Sequence, residues 1–520
     1  MLRAIALSLI CAAMAFAVAA CGESGSGGDA DPASLVPANA PVYAQAAVRP
    51  QGKQREGALA AAGKVMRTDD PAGTLRELID EAFPESDTGL TWEKDFAPWV
   101  GEEVGVWAAT VESQKPSWAA ITAVKDTEAA AATLARVREA ADTTFTKRSH
   151  GGVDYDVAAD GTAVGLVDDF LVAGTEDAFK RSVELREGGE SLAESDAYKD
   201  AMDDLHDDRL GQFFLDTKAM MALSAADEPD QAAIFDRVES ALQLDELGPL
   251  SGSFQADGDG MAIDSVSTGI PEGPLRALTE LSSGTETEIM PKLPGDAWGA
   301  FAVPKLGESG RSLFDAFAGV LGAAAVESEF KESTGLDLQE DVFSWIGDTG
   351  MFIRGKTIEG LDGALVIQST DDDKASVAFL KIVGLIGKQS GTDPEPLELD
   401  GAETAFALAT PGAPKPIVLA RRPDRVVAAY GEEAAAAALE PQSTLSDSEL
   451  YGDAEDALEE GQEPSFLLST PALIELVEAA GETDAEWDKA KPYLEAFGAI
   501  TAGGSVDGET AKSRIAVTLK

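Results

Sequence analysis

Two histidines are the side chains best suited to proton transfer near neutral pH, and they lie in unrelated parts of the chain. His150 precedes two glycines in a predicted turn, and His206 lies among aspartates at a predicted helix end. A Ser-His-Asp hydrolase needs a well-placed histidine, and many present the serine in a Gly-x-Ser-x-Gly turn, which this chain lacks. The pattern favours solvated histidines over a nucleophilic active site.

Carboxylates are so frequent, 93 of 520 residues, that any pair spacing used by a glycosidase must occur by chance. Asp371-Asp-Asp373 could begin a calcium loop, but it lacks the glycine and the closing glutamate of an EF-hand. Its place between a strand and a helix favours helix capping. Asp257-Gly-Asp-Gly260 is typical of a hairpin turn, and Gly57–Lys64 does not match a phosphate-binding loop. We therefore expect no catalytic residue, cofactor or metal.

The chain contains only two cysteines, Cys11 and Cys21. Val18-Ala-Ala-Cys21 resembles the signal of bacterial lipoproteins, in which small residues precede a cysteine that receives diacylglycerol. Residues 4–20 are uncharged and follow Arg3, as in a secretory signal, and as a helix they would cover only roughly 25 Å. We predict a signal peptide at 1–20, lipid on Cys21, and anchorage to the outer face of the cell membrane.

Composition limits the partners of the exported part. Residues 21–33 begin with a Gly/Ser-rich run, which predicts a flexible tether behind the lipidated cysteine. The formal net charge of −53 repels phosphate backbones, so we expect no nucleic-acid binding. With 44% apolar residues the chain is globular material, and without further cysteines its stability depends on packing.

An internal repeat is the most informative feature of the rest. Gly89–Gly101 aligns with Gly335–Gly347, and five of thirteen positions are identical, including Trp99 and Trp345. Apolar residues at i, i+3 and i+4 predict one face of a short helix ended by glycine. Equivalent tryptophans in two copies favour core packing over ligand stacking.

Other signals recur in the same order, such as a hairpin turn at the end of each half. They predict a first α+β repeat unit at 34–268, a linker at 269–288, and a second unit at 289–520. Strict strand–helix alternation is absent, so we expect in each copy a mainly antiparallel sheet with helices packed on one side.

The order of these signals resembles the bacterial envelope family catalogued as domain of unknown function 3352. The resemblance depends on Leu35–Tyr43, Val48-Arg-Pro50, Asp95–Gly101 and the lipoprotein start. It covers most of the chain and implies an extracytoplasmic, often lipidated protein. It implies no activity and no functional residues.

We predict a noncatalytic binding or interaction protein of the envelope, with a small ligand or an envelope protein as its partner. A structural or accessory lipoprotein acting through a protein partner is the alternative, and a carboxylate-based hydrolase is the third hypothesis. A closed apolar pocket would favour a ligand, a flat apolar patch a protein partner, and a buried carboxylate pair a hydrolase.

Replacing the predicted lipid acceptor tests the anchor directly. Cys21→Ser should abolish lipidation and release the protein from the membrane, because no other cysteine follows the signal. Detergent partitioning of labelled cells measures this, and a Ser24→Ala variant should partition like the wild type. Unchanged membrane retention of Cys21→Ser would contradict the anchor.

Overall fold

The computed structural model describes residues 30–82, 90–109, 117–140, 143–206, 208–221, 232–321, 323–409, 412–481 and 483–520. The predicted signal peptide and Cys21 lie outside these residues. The fold is α+β with antiparallel strand pairing, as the sequence predicted. The chain divides into two compact units, one of residues 1–232 with 248–267 and one of residues 233–247 with 268–520. In the described part of the chain, no helix is long and apolar enough to cross a membrane.

The described residues of the first unit form ten strands, which pair in the order β4-β5-β6-β7-β3-β2-β1-β8-β9-β10. Most neighbouring strands in this order are also consecutive in the sequence. Strand β1 lies inside the sheet because it pairs with both β2 and β8. The strands are β1 Val42–Ala47, β2 Val100–Ala109, β3 Ser117–Val124, β4 Phe145–His150, β5 Val153–Ala158, β6 Thr162–Val167, β7 Phe170–Thr175, β8 Gly211–Leu215, β9 Leu250–Ala256 and β10 Gly260–Ser267.

The second unit pairs its strands in the corresponding order, β14-β15-β16-β17-β13-β12-β11-β18-β19-β20. Here β11 takes the central place, between β12 and β18. The strands are β11 Gly299–Val303, β12 Ile346–Arg354, β13 Asp362–Ser369, β14 Glu395–Pro396, β15 Thr404–Leu408, β16 Ile417–Arg422, β17 Arg425–Tyr430, β18 Pro464–Ser469, β19 Phe497–Asp507 and β20 Thr510–Leu519.

Helices connect strands that are not joined by tight turns. They are α1 Gly52–Met66, α2 Pro71–Ala82, α3 Thr127–Ala140, α4 Glu176–Glu184, α5 Asp196–Asp203, α6 Ala232–Leu242, α7 Pro274–Ser282, α8 Leu306–Leu321, α9 Ala323–Thr334, α10 Asp372–Ser390, α11 Glu432–Leu439, α12 Glu449–Asp456, α13 Thr470–Ala480 and α14 Ala485–Leu494. Helix α10 begins as predicted, because the Asp371 carboxylate accepts a hydrogen bond from the backbone N–H of Lys374 at 3.1 Å.

The prediction of helices on one side of each sheet needs correction, because both faces are packed. Neighbouring residues in a strand point to opposite faces. In β13, Val366 belongs to a core with α11 and α12, while Ile367 belongs to a core with α10. In the first unit, Val172 packs with α4 and α5, and Leu171 packs with α3. The central strands therefore need cover on both faces.

The stretch assigned to a linker, residues 269–288, contains the helix α7 and groups with the second unit. Ile270 and Leu275 are 0% and 6% exposed and pack with Ala511 of β20. Burying such apolar side chains stabilises the segment in place.

The repeated tryptophan segment also differs from its prediction. The first helical turn spans Trp92–Phe96 and ends before Trp99, and strand β2 already begins at Val100. Gly101 therefore lies within a strand and does not end a helix. A Cβ at this position would lie 2.8 Å from the carbonyl oxygen of Ala123 on β3, so glycine permits the close approach of the two strands.

Burial of the two tryptophans is confirmed. Trp99 and Trp345 are 3% and 1% exposed. Their indole N–H groups donate to the backbone oxygens of Asp95 and Asp341, at 2.6 and 2.9 Å. Each ring thus fills a core and closes the turn that precedes it, which satisfies its one polar atom.

The same two aspartates complete each turn with their carboxylates. Asp95 and Asp341 both accept a hydrogen bond from the backbone N–H four residues earlier, at 2.7 and 2.8 Å. Each also pairs with a cation on the helix that packs over the turn, Arg136 on α3 and Lys381 on α10. These carboxylates have structural partners and need no catalytic explanation.

Truncating either tryptophan should destabilise its own unit. We expect Trp99→Ala and Trp345→Ala each to lower the free energy of unfolding by ~3–5 kcal/mol, since each removes a large buried aromatic. Chemical denaturation followed by circular dichroism measures this. Tyr493→Ala removes a side chain that is 52% exposed and should unfold like the wild type. Normal unfolding of either tryptophan variant would contradict the packing role.

Candidate functional site

A continuous row of apolar side chains crosses six neighbouring strands of the second unit. Its members face each other directly in the strand registers, so they lie on one face of the sheet. We call this set the apolar row; from β20 to β13 it consists of Ile515, Ala502, Phe466, Phe301, Met351 and Leu365. No member is charged or polar.

Much of the apolar row is open to solvent. Ile515, Met351, Phe301 and Leu365 are 54%, 44%, 42% and 39% exposed. Single exposed apolar residues are ordinary on protein surfaces, but a contiguous set of large ones marks an interaction site. Because four of the six side chains are large and exposed, the row is the leading candidate for a docking surface.

Strand β11 shows how the sequence produces this surface. Its buried residues Ala300 and Ala302 are 5% and 1% exposed, whereas the larger Phe301 between them points to the opposite face. On β12, Phe352 supplies the bulk that fills the core next to these alanines. The large side chain on β11 is therefore free to face outward.

Helix α10 covers only one end of this face. The register of the row continues through Ala428, Leu419 and Phe406 on β17, β16 and β15. There Phe379 of α10 packs against Phe406, with ring centroids 6.2 Å apart. The cover reaches Ile367 on β13, and the exposed members begin two residues away on the same strand, at Leu365.

On three neighbouring strands of the first unit, the corresponding row carries smaller residues than in the second unit. Strands β1, β2 and β3 place Ala44, Val106 and Ala120 opposite each other. Phe213 of β8 lies close over Gly252 of β9, where an added Cβ would lie 2.3 Å from the ring. At the compared positions of these three strands, the large exposed apolar side chains Phe301, Met351 and Leu365 belong to the second unit.

A second feature distinguishes the first unit, a hydrogen-bonded cluster that we call the Glu103 network. Gln45 on β1 accepts from the Tyr43 hydroxyl at 2.9 Å and from the Gln212 amide at 3.1 Å, and donates to Glu103 on β2. Gln212 also donates to the Tyr198 hydroxyl at 2.8 Å. Side chains from three neighbouring strands and α5 therefore satisfy each other within a half-buried layer.

Glu103 is the group in this network that could exchange a proton near neutral pH. Its pKa is raised from 4.5 to about 7, chiefly by burial and in addition by the negative charges of Asp31 and Glu102. The hydrogen bond from Gln45 and the charge of Arg209 oppose the shift. A carboxyl group with such a pKa could act as a general acid or base.

The second unit has a structural carboxylate at the corresponding place. Glu103 precedes Trp107 by four residues, and Asp348 precedes Phe352 by four. The Asp348 carboxylate accepts hydrogen bonds from the backbone N–H groups of Glu288 and Lys305, at 2.8 and 3.0 Å. It fixes two chain segments through their backbone, whereas Glu103 accepts its hydrogen bond from the side chain of Gln45.

The residues singled out in the sequence do not converge on one site. Cys21 lies outside the described residues. His150 is the last residue of β4 and contacts the Glu184 carboxylate at 2.8 Å, and His206 is an exposed loop residue. Asp257 accepts hydrogen bonds from the next residues of its hairpin turn, as predicted.

An open cleft of about 470 Å³ lies between α1 and α2. Its lining is partly polar and partly apolar, so the cleft does not resemble a closed ligand pocket.

Replacing Glu103 should change how stability depends on pH. A carboxyl group with a raised pKa contributes stability that is complete below about pH 4.5 and is lost as the pH rises through about 7. Glu103→Gln keeps a neutral hydrogen-bonding group, so we expect it to be more stable than the wild type above pH 7, by about 1–3 kcal/mol. Denaturation at pH 5 and pH 8 measures this. The exposed Glu128→Gln should follow the wild-type profile, and the same profile for Glu103→Gln would contradict the assignment.

Comparison with known proteins places the chain in a family without giving it an activity. Crystal form I of TP0453 is similar at 11% sequence identity and a TM-score of 0.25, covering 46% of this chain and 79% of that chain. Crystal forms IV and III also show 11% identity, with TM-scores of 0.26, and cover 50% of this chain and 88% and 90% of theirs. No protein of curated function matches the chain in sequence. The family model described as protein of unknown function, DUF3352, matches residues 1–519, and the chain therefore belongs to this family.

Proposed function

We propose that this protein is a noncatalytic, membrane-anchored interaction protein of the cell envelope that docks a protein partner on the apolar row. The single observation that carries the proposal is the exposure of Phe301, Met351 and Leu365 in one register of three neighbouring strands. A flat apolar surface fits a protein better than a small molecule, which requires a concave site.

Anchorage follows from the sequence of the N-terminus. The signal at residues 1–20 would export the chain, and lipid on Cys21 would hold it at the outer face of the membrane. The tether at 21–33 would let the folded part reach a partner above the lipid headgroups. A single lipid-modified cysteine and a flexible tether suit a protein that works by contact.

We also propose that the two units are tandem copies of one ancestral unit. Their strands pair in corresponding order, and the bridge Pro37–Ser191 has a counterpart in Pro294–Thr444. A helical turn with a capping box begins at Ser191 in one unit and at Thr444 in the other. If the units are copies, features found in both stabilise the common fold, whereas features found in one unit are candidates for a functional role.

A carboxylate-based hydrolase is the second candidate, and Glu103 is the observation that favours it. Its pKa of about 7 would suit a general acid or base. The network around it consists of amides and tyrosines that already bond to each other, which favours a structural role. The Glu103→Gln variant distinguishes the two candidates. If the protein is a hydrolase, this variant should lose hydrolysis; if it is an interaction protein, the variant should still dock its partner.

Removing the apolar row should separate docking from folding. We expect Phe301→Ser/Met351→Ser to fold normally, because both side chains are about two-fifths exposed, and to lose the partner recovered by cross-linking from its own membranes. Ala44→Ser/Val106→Ser changes the corresponding row of the first unit and should retain the partner. Quantitative mass spectrometry of cross-linked material measures this. Equal recovery with the Phe301/Met351 variant would contradict the proposal.

A further inference from the structure

We infer that the occupant of the apolar row is a cationic amphipathic helix of another protein. This inference rests on the proposed function, and it names the chemistry of the partner at the same surface. It follows from three observations: the position of the row within the sheet of the second unit, the length of the row, and the net negative charge of the whole chain.

The position of the row excludes docking by strand addition. Phe301, Phe466 and Met351 lie on the adjacent strands β11, β18 and β12, and β11 pairs on both sides. The main-chain groups of β11 are therefore already used within the sheet, and an added strand would need a free edge. An occupant must meet this face with side chains.

The length of the row suits a helix. Six strands at ~4.8 Å spacing make a row about 24 Å long, which corresponds to roughly 16 residues of α-helix. An amphipathic helix presents an apolar stripe along one side, so it can lie along the row. The next register beside the row is also uncharged, with Leu468, Gly299 and Ile353 on its central strands. Along these two registers the stripe of the partner would meet no charged side chain.

The net charge of the protein distinguishes between the possible occupants of the row, which are a second copy, a membrane surface and a helix of another protein. The protein carries a formal net charge of −53. A second copy would bring the same charge, and an anionic membrane surface would also be repelled. A helix with lysine or arginine on its polar face would be attracted to the acidic surface while its apolar stripe covers the row.

A designed peptide pair tests the inference. The probe is a labelled helical peptide of about 18 residues built from leucine and lysine, and its match has glutamate in place of lysine. Fluorescence anisotropy is measured with the full mature chain carrying Cys21→Ser, so that no acyl chain competes for the row. Variant Phe301→Ser/Met351→Ser/Leu365→Ser keeps the charge of the protein, and Ala44→Ser/Val106→Ser/Ala120→Ser is the control from the first unit.

We expect the lysine peptide to bind the wild type and the control at least about tenfold more tightly than the Phe301/Met351/Leu365 variant. Binding should weaken as salt rises, and the glutamate peptide should bind at least about tenfold more weakly. Circular dichroism should show equal folding of the three proteins.

The other outcomes overturn distinct parts of the account. Equal binding of the lysine peptide to the variant would refute the docking surface and with it the proposed function. Equal binding of both peptides to the wild type, lost in the variant, would keep the surface and refute the cationic partner. Sedimentation showing a dimer that the variant loses would assign the row to a second copy. Row-dependent binding to phosphatidylcholine vesicles would assign it to lipid.

Discussion

Side chains of a β-strand alternate between two faces, and in this protein the central strands carry apolar residues on both. Each sheet therefore depends on helices above and below it. In the second unit, α11 and α12 cover one face, while α10 covers only the end of the other, near Phe379. On the same face Phe301, Met351 and Leu365 are 42%, 44% and 39% exposed, and this exposure is the basis of the proposed docking surface.

Comparison of the two units separates the features that stabilise the fold of both from the features that distinguish one unit from the other. Both contain a buried tryptophan whose N–H closes a turn, and an aspartate that ties this turn to a helix. The apolar row occurs in the second unit and the Glu103 network in the first. The row and the network lie outside the turn that the tryptophan and the aspartate stabilise. Each unit can therefore differ on one face of its sheet and keep the same architecture.

Local rules predicted much of the architecture. The helix cap at Asp371, the hairpin at Asp257 and the burial of both tryptophans follow from residue type and spacing within a few positions. The exposed row does not, because its members come from segments far apart in the sequence and meet only through strand pairing. The sequence of β11 would suggest that its largest apolar residue, Phe301, is buried. In the structure its alanines face the core and Phe301 faces outward.

Glu103 could not be recognised for a similar reason. It is one of 93 acidic residues, and its raised pKa depends on burial beside Gln45 and Asp31, which belong to another part of the chain. Helices on both faces, in contrast, could have been predicted, because neighbouring residues such as Val366 and Ile367 are both apolar. Continuous apolar runs in strands indicate burial on both faces, and this signal is present in β13.

The most direct test of a partner on the apolar row is the oxidation of Met351 by peroxide, in intact cells and in the purified protein. Met351 and Met220 are 44% and 41% exposed, while Met290 is 1% exposed, so the chain supplies its own controls. Mass spectrometry should find Met351 and Met220 oxidised and Met290 unoxidised in the purified protein, and in cells Met351 should be protected several-fold while Met220 is not. Equal oxidation of Met351 and Met220 in intact cells would show that nothing covers the row.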